Sequence, residues 1–388
     1  MPDNGQGFGL PDITSAIGEI ESSKEARRSP SISIKRQSRP LVGLEGEVLL
    51  RAENILDFTA VPSPHIIVCG PTGRGKTWAT KQMIINSQLQ ASFVVLDPHD
   101  EYTDARFLER ARGRVHYVEK EGLPVNVLQI PRNGKEKVAR PLVVCAIVDR
   151  ITRIFPAFGH QQRAVLYRAL DAMLQKRRLF GDIRFSDLPE YIERECPKRD
   201  LVNSIVNPLR TIFELRLFDS MKGISSHDLF DPKRTSIISF KLYGENRNIS
   251  LLTCVFVVNG VFDDIRQLSN HANRKVLVVD EFHGVATDPI FERIERESRK
   301  FNLGLWAVSQ SISDFEDTKL IQNAGHIVAF RPFGGDEMRK TATMLSGDDE
   351  MKRQVMARLE SLGRYEALFV RNSHERVLLG KVRFGERM

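Results

Sequence analysis

The sequence predicts an α/β fold: a mostly parallel β-sheet flanked by helices and interrupted by an all-helical insertion. Three observations lead there. Residues 64–97 read as buried strand, glycine-rich loop, helix and second buried strand, which is the right-handed crossover unit of a parallel sheet. From about 135 to 232 apolar residues recur at spacings of three and four, with no convincing β alternation between them. After 232 short apolar runs resume, separated by helical segments.

The elements follow in order. Residues 1–40 have little periodic pattern and carry the basic, serine-rich run "KEARRSPSISIKRQSRP"; they are expected to form a flexible basic N-terminal tail. An arm that touches phosphates or a membrane partner is the functional alternative for this run. Residues 41–134 form the first part of the core. Here "LVGLEGEVLLRAENILDF" supplies one or two short strands, and "PHIIVCG" (Pro64 to Gly70) is a buried strand. "KTWATKQMIINSQL" has helical spacing, and "SFVVLD" (Ser92 to Asp97) is the next strand. The helical insertion, 135–232, contains "ARPLVVCAIVDRITRIF", "HQQRAVLYRALDAMLQKRRL" and "LVNSIVNPLRTIFELRLF". The second part of the core, 233–388, opens with "TSIISFKL" (Thr235 to Leu242), a helix near Ile249 to Asp263, and "KVLVVDE" (Lys275 to Glu281). A helix over Pro289 to Lys300 follows, then the strands "LGLWAVSQ" (Leu303 to Gln310) and "GHIVAFRP" (Gly325 to Pro332). Two helical segments and a C-terminal hairpin in "YEALFVRNSHERVLLGKVRF" complete the chain, with no internal repeat.

Composition narrows the class. With 388 residues, 41% of them hydrophobic and 28% charged, the chain can bury a large core and should fold as a soluble protein. No uninterrupted apolar stretch approaches the ~20 residues of a transmembrane helix, so no membrane span of its own is expected. "MPDNGQGFGLPDIT" lacks the basic start and apolar core of a signal peptide, which points to a cytoplasmic location. Cys69, Cys145, Cys196 and Cys254 lack metal-ligand spacing and read as reduced thiols. A net charge of +7 is compatible with a nucleic-acid partner but equally with a solubility feature.

The chemistry concentrates in "CGPTGRGKTW". Gly70, Gly75, Lys76 and Thr77 complete the G-x-x-x-x-G-K-T pattern, placed between a strand and a helix as a phosphate loop requires. The binding segment runs through Gly70, Pro71, Thr72, Gly73, Arg74, Gly75, Lys76, Thr77 and Trp78. Its backbone N–H groups would curl around a nucleoside triphosphate, Lys76 would reach the β- and γ-phosphates, and Thr77 would ligate Mg2+. Arg74 reads as a solvent-facing variation.

In "VLVVDEFH", Asp280 ends an apolar strand where a carboxylate can face that metal, and Glu281 beside it can activate water. The pairing favours hydrolysis over small-molecule phosphorylation. Gln310, in the "SQ" that ends another strand, is a candidate γ-phosphate sensor, with Ser309 as a helix cap the competing reading of the pair. "DPHDEY" (Asp97 to Tyr102) also ends a strand and reads alone as a solvated loop, His99 orienting Asp97 or a turn carbonyl. Arg293, Arg296, Arg299 and Lys300 cluster near a helix end, ordinarily a solvated basic face. Oligomeric phosphate-loop motors, however, reach across to a neighbour's phosphate with an arginine, and Arg299 is the best candidate, ahead of Arg210 and Arg216.

Taken in order, "GPTGRGKT", "LDPHDEY", "VLVVDEFH" and "ERESRKFNLGLWAVSQ" resemble the HerA branch of the FtsK–HerA ATPase superfamily over residues 40–385. The resemblance implies a RecA-like P-loop ATPase core using ATP and Mg2+, assembled as a homo-hexameric ring that translocates double-stranded DNA. It implies Lys76, Thr77, Asp280 and Glu281 as the ATPase machinery, Gln310 as sensor and Arg299 as the residue presented in trans. Family members act in end resection with a nuclease, in conjugation or DNA import at a membrane pore, or in packaging at a capsid. Peripheral attachment to a membrane complex is therefore open, as is a regulatory ATPase that does not translocate. The chain departs from the family pattern at Asp100 and Ser298, where glycines are usual, and at "SQSI", which lacks the usual arginine and proline. Few residues precede the core, so an N-terminal partner-docking barrel is expected to be reduced or missing.

Overall fold

A computed structural model describes residues 41–43, 49–51 and 56–385, apart from 57, 59–60, 62, 130–135, 181–182, 220–223, 225, 242–245, 268–272, 317, 347 and 373–376. The expected N-terminal tail, 1–40, lies outside the described residues. The strands are β1 (Leu41–Gly43), β2 (Leu49–Arg51), β3 (Ile66–Cys69), β4 (Ser92–Asp97), β5 (Gly113–Tyr117) and β6 (Thr235–Ser239). They continue with β7 (Lys275–Val279), β8 (Leu303–Ser309), β9 (His326–Phe330), β10 (Glu366–Asn372) and β11 (Val377–Arg383). All join one sheet. Its parallel centre runs β9-β3-β8-β7-β4-β6-β5. β10 adds antiparallel to β9 and to β11, and β1 and β2 each pair parallel with β11.

The central strands are short and apolar because both faces are covered. β3, β4, β6, β7, β8 and β9 are buried along their whole length. Alternate residues serve opposite cores. Ile66 and Val68 join one cluster with Val95, Trp306 and Phe330, covered by Ala79, Met83 and Ile84 of α1 (Lys76–Ser87). Ile67 and Cys69 face the other, larger cluster. A short helix, α2 (Ala105–Arg110), leads into β5.

The insertion between β5 and β6 supplies much of that larger cluster. It comprises α3 (Glu136–Ile154), α4 (His160–Phe180), α5 (Leu188–Glu195) and α6 (Arg199–Glu214). Val144, Ile147 and Ile151 of α3, and Leu166, Leu170 and Met173 of α4, lie at the three-and-four spacing read in the sequence. They share one core with Leu252, Val255 and Phe262 of α7 (Arg247–Gln267), so the insertion packs on the sheet face. Each fully buried aliphatic side chain contributes roughly 1.5–3 kcal/mol. Two polar ties sit at this seam: Arg150 Nη2 donates to Asn259 Oδ1 at 2.7 Å, and Arg153 Nη1 donates to Asp288 Oδ2 at 2.7 Å.

One helix modifies the expectation about apolar stretches. Within α7, Arg247–Arg266 has the length and mean hydropathy, 1.4, to cross a membrane, yet 67% of it is buried inside the fold. Burial at the centre of the larger cluster explains its composition. The remaining long helices, α8 (Pro289–Glu297), α9 (Gly335–Leu345) and α10 (Asp349–Glu360), follow β7 and β9.

Candidate active site

The glycine-rich loop leaves β3 and enters α1 at the carboxyl ends of the parallel strands, where ligands of open α/β sheets bind. Two of its glycines have no substitute. Gly70 has φ +149° and a Cβ there would lie 2.5 Å from Phe330 Cβ; Gly75 has φ +109° and a Cβ would lie 2.6 Å from Tyr365 Cδ1. The loop is thus held against β9 and the start of β10 by close backbone approach. Gly75 caps α1 without a side chain, and the first turn carries no acidic residue. The helix's first N–H groups and its positive end therefore stay available for an anion. Lys76 is 9% exposed at the start of α1, and Pro71, Thr72, Gly73 and Arg74 form the rim. Trp78 turns elsewhere: its indole N–H donates to the Gly385 carbonyl at 2.5 Å and its ring packs on the smaller core.

The loop after β4 is more ordered than its sequence suggests. Asp97 is buried and its carboxylate accepts from the backbone N–H groups of His99 (3.2 Å), Glu101 (3.0 Å) and Tyr102 (2.8 Å). Burial nevertheless pushes its carboxyl above the usual range. The backbone N–H of His99, not its ring, makes the bond to Asp97. Asp100 adopts φ +57°, a conformation glycine takes freely and aspartate tolerates, which accounts for the departure from the family pattern there. Its side chain accepts from the Ser239 hydroxyl. The turn delivers Glu101 to the phosphate loop, where it accepts a hydrogen bond from the Thr77 hydroxyl.

Asp280 and Glu281 stand at the end of β7, two strands from β3. Asp280 Oδ1 accepts from the Glu281 backbone N–H at 2.9 Å. Burial pushes the Asp280 carboxyl up to about 7, with the charges of Glu281, Glu101 and Asp97 adding to the effect. Glu281 sits at φ +51°, a strained position for a non-glycine residue of the kind found at functional sites. Its carboxylate is gripped from two sides. Gln310 Nε2 lies 3.1 and 3.3 Å from its two oxygens, and His283 Nδ1 lies 3.2 Å from Oε2. Asp280, Glu281, His283, Gln310, His99 and Arg247 line a cleft of about 370 Å3.

Of the "SQ" pair, Gln310 faces the acids, while the Ser309 hydroxyl donates to Asp314 Oδ2 at 2.5 Å. Ser311 is the cap of the next turn, accepting from Ser313 N at 2.9 Å, so capping belongs to Ser311.

Thr77, Glu101, Asp280, Glu281 and Gln310 therefore meet at one edge of the sheet. Arg299 does not join them. It is exposed in the turn before β8, whose six residue steps separate it from the site by about 20 Å. Beneath it, buried His65 contacts Ser298 Oγ through Nε2 at 3.1 Å and accepts from Leu305 N through Nδ1 at 3.1 Å. Burial and then the Arg299 charge lower this imidazole to about 4. Ser298, where the family has glycine, is thus a polar anchor between β3 and the turn. Arg293 pairs with Asp263 and Glu297, Arg296 with Glu292, and exposed Arg210 with Asn207; exposed Arg216 lies at φ +52° after α6. Glu101 is the site residue that sequence reasoning missed. The signal available was its place in "DPHDEY", but only the Asp97-centred turn brings it to Thr77, 24 residues earlier.

Residues 46–256 match the family model described as "Helicase HerA, central domain". The chain belongs to the HerA helicase central-domain family. A probable helicase of Methanocaldococcus jannaschii is 23% identical over 298 residues, covering 71% of this chain. The chain spans about half, 54%, of that relative's length. The HerA-family fold is shared with VirB4 of Thermoanaerobacter pseudethanolicus (TM-score 0.64, 16% identity, 84% of this chain and 90% of that one). It is shared also with the bacterial conjugative coupling protein TrwB (TM-score 0.60, 14% identity, 91% of each chain). TrwB has also been solved with ADP and Mg2+ (TM-score 0.60, 14% identity, 90% of this chain and 94% of that one). Membership places the chain among the FtsK–HerA superfamily P-loop ATPases, with use of ATP and Mg2+ implied at family level.

Proposed function

We propose that this chain is an ATP-hydrolysing motor that moves double-stranded DNA through a ring of identical subunits, of the conjugation or DNA-import coupling kind. The observation that carries the hydrolytic reading is the carboxylate of Glu281, held by Gln310 and His283 beside Asp280 and the phosphate loop. A carboxylate so fixed, at the mouth of an open cleft, is placed to take a proton from an attacking water. Lys76 and the N-terminus of α1 hold the phosphates. Gln310 reports on the γ-phosphate through the same carboxylate that it orients.

The donor set suits magnesium. Thr77 and Asp280 offer hard oxygens, with Glu101 hydrogen-bonded to that same threonine. Among the described residues no three His, Cys, Asp or Glu side chains converge to hold a metal, so nucleotide phosphates and water would complete the shell. The ion supplies charge neutralisation at the phosphates when bound.

The coupling-type reading is preferred to end resection with a nuclease because the fold is like those of VirB4 and the conjugative coupling protein TrwB. Peripheral attachment at a membrane pore fits that reading; a capsid partner is its packaging variant. The test measures ATP hydrolysis by the full chain with and without duplex DNA, together with particle mass. DNA-stimulated turnover by a hexamer is expected. A strictly monomeric protein whose ATPase ignores DNA would refute the ring motor and leave a regulatory ATPase.

A further inference from the structure

Two cavities lie at the carboxyl ends of the strands, on either side of β3 in the sheet order. The first, already described, contains Asp280, Glu281 and Gln310. The second, about 460 Å3, opens on the other side, over the loop between β9 and α9. Arg74, Arg331, Phe333, Gly334, Met338 and Glu360 line it. Its volume falls within the roughly 300–1,000 Å3 typical of small-molecule sites.

The lining is unusual for an idle surface. Phe333 is 61% exposed although it is a large apolar ring. The Arg74 guanidinium lies 4.9 Å from the centre of that ring, so the phosphate loop itself supplies one wall. Arg74 Nε is screened from solvent and has no hydrogen-bond partner among the described residues. A buried donor left unpaired is costly, and a ligand acceptor in the cavity would satisfy it. Gly334 and Gly335 face open space: among the described residues, a Cβ at either position would meet nothing within 4 Å.

Geometry orients a nucleotide between the two cavities. Hydrolysis requires the γ-phosphate to point toward Glu281 and Gln310. The nucleoside end must then leave the phosphate loop on the opposite side, where Arg74 and Phe333 stand. We infer that the Arg74–Phe333 cavity receives the purine base of the bound nucleotide, stacked on the exposed Phe333 ring. Arg74 and Arg331 donate to its ring nitrogens, and the Glu360 carboxylate accepts from an amino group of the base. Arg74 is thereby a nucleoside-contacting residue. This inference rests on the nucleotide reading proposed above and adds to it the base-recognition surface.

The test separates base from phosphate. Full-length wild type and Phe333→Ala are titrated calorimetrically with Mg-ADP and with Mg-tripolyphosphate. Loss of a base–aromatic stack should weaken ADP roughly tenfold or more. Tripolyphosphate, which has no base, should bind both proteins alike. Phe333→Tyr, which keeps the stacking face, should restore ADP binding. Unchanged ADP affinity in Phe333→Ala, or equal loss of both ligands, would overturn the assignment. Wild type that binds neither ligand would overturn the nucleotide reading itself, a result distinct from the other two.

Discussion

Replacing Glu281 with glutamine should abolish turnover while sparing nucleotide binding. The substitution keeps the shape of the side chain and its reach to Gln310 and His283, 3.1–3.3 Å away. It removes the proton acceptor, which in general-base catalysis contributes about 10²–10⁴ in rate, or roughly 3–5 kcal/mol of barrier. Binding should survive for a reason visible in the site. The Glu281 charge is among the influences that raise the Asp280 carboxyl to about 7. Neutralising it leaves Asp280 readier to ionise and to face a cation. Steady-state ATP hydrolysis, measured beside calorimetric binding of Mg-ADP, checks both halves. A turnover number within about threefold of wild type would remove Glu281 from the chemistry. Loss of ADP binding would show that the residue serves the fold of the site instead.

Gly70→Ala should cost about 2–3 kcal/mol and shift the urea midpoint down, because its Cβ would meet Phe330 Cβ at 2.5 Å; an unchanged midpoint would contradict the close approach. Glu295 is 8% exposed, its Oε2 has no hydrogen-bond partner among the described residues, and burial with the Glu292 charge raises its carboxyl to about 7. The unfolded chain ionises this group near 4.5 and the folded chain only near 7, so its presence lowers stability progressively across that window. Glu295→Gln should therefore match wild type near pH 4 and exceed it by on the order of 2 kcal/mol at pH 8 in denaturant titrations. An equal difference at both pH values would rule out this explanation. For Arg299, mixing Arg299→Ala with Glu281→Gln subunits should recover part of the ATPase activity in demonstrated mixed rings, and no recovery would count against action in trans.

How much of this was legible in the sequence varies by element. "SFVVLD" marks β4 to the residue: a short apolar run rich in β-branched and aromatic residues suits a strand covered on both faces, and all six positions are buried. β5, "GRVHY", is not legible: it is the edge strand beside β6, with Arg114 exposed, so it lacks the apolar run that marks its neighbours. The insertion helices were legible through their spacing, but their docking on the sheet was not, since Ile147 or Leu170 buries equally well against any apolar face. In the site, the phosphate loop and the Asp280–Glu281 pair announce themselves by local pattern. Glu101 does not. Its contact with Thr77 is created by the turn around Asp97, and sequence separation hides it. Gln310 was legible as a residue at a strand tip; that it grips Glu281 follows from β8 lying beside β7.

The crowding of Asp97, Glu101, Asp280 and Glu281 has a consequence for anyone who would improve this protein. Like charges held together in a partly desolvated corner are a burden that the empty chain carries, and magnesium nucleotide would relieve it. Selection for heat resistance alone would therefore drift toward neutral residues in this corner. On the proposed function, the survivors would be sturdier and inert, because the carboxylates that weigh on the fold are the ones proposed to do its work.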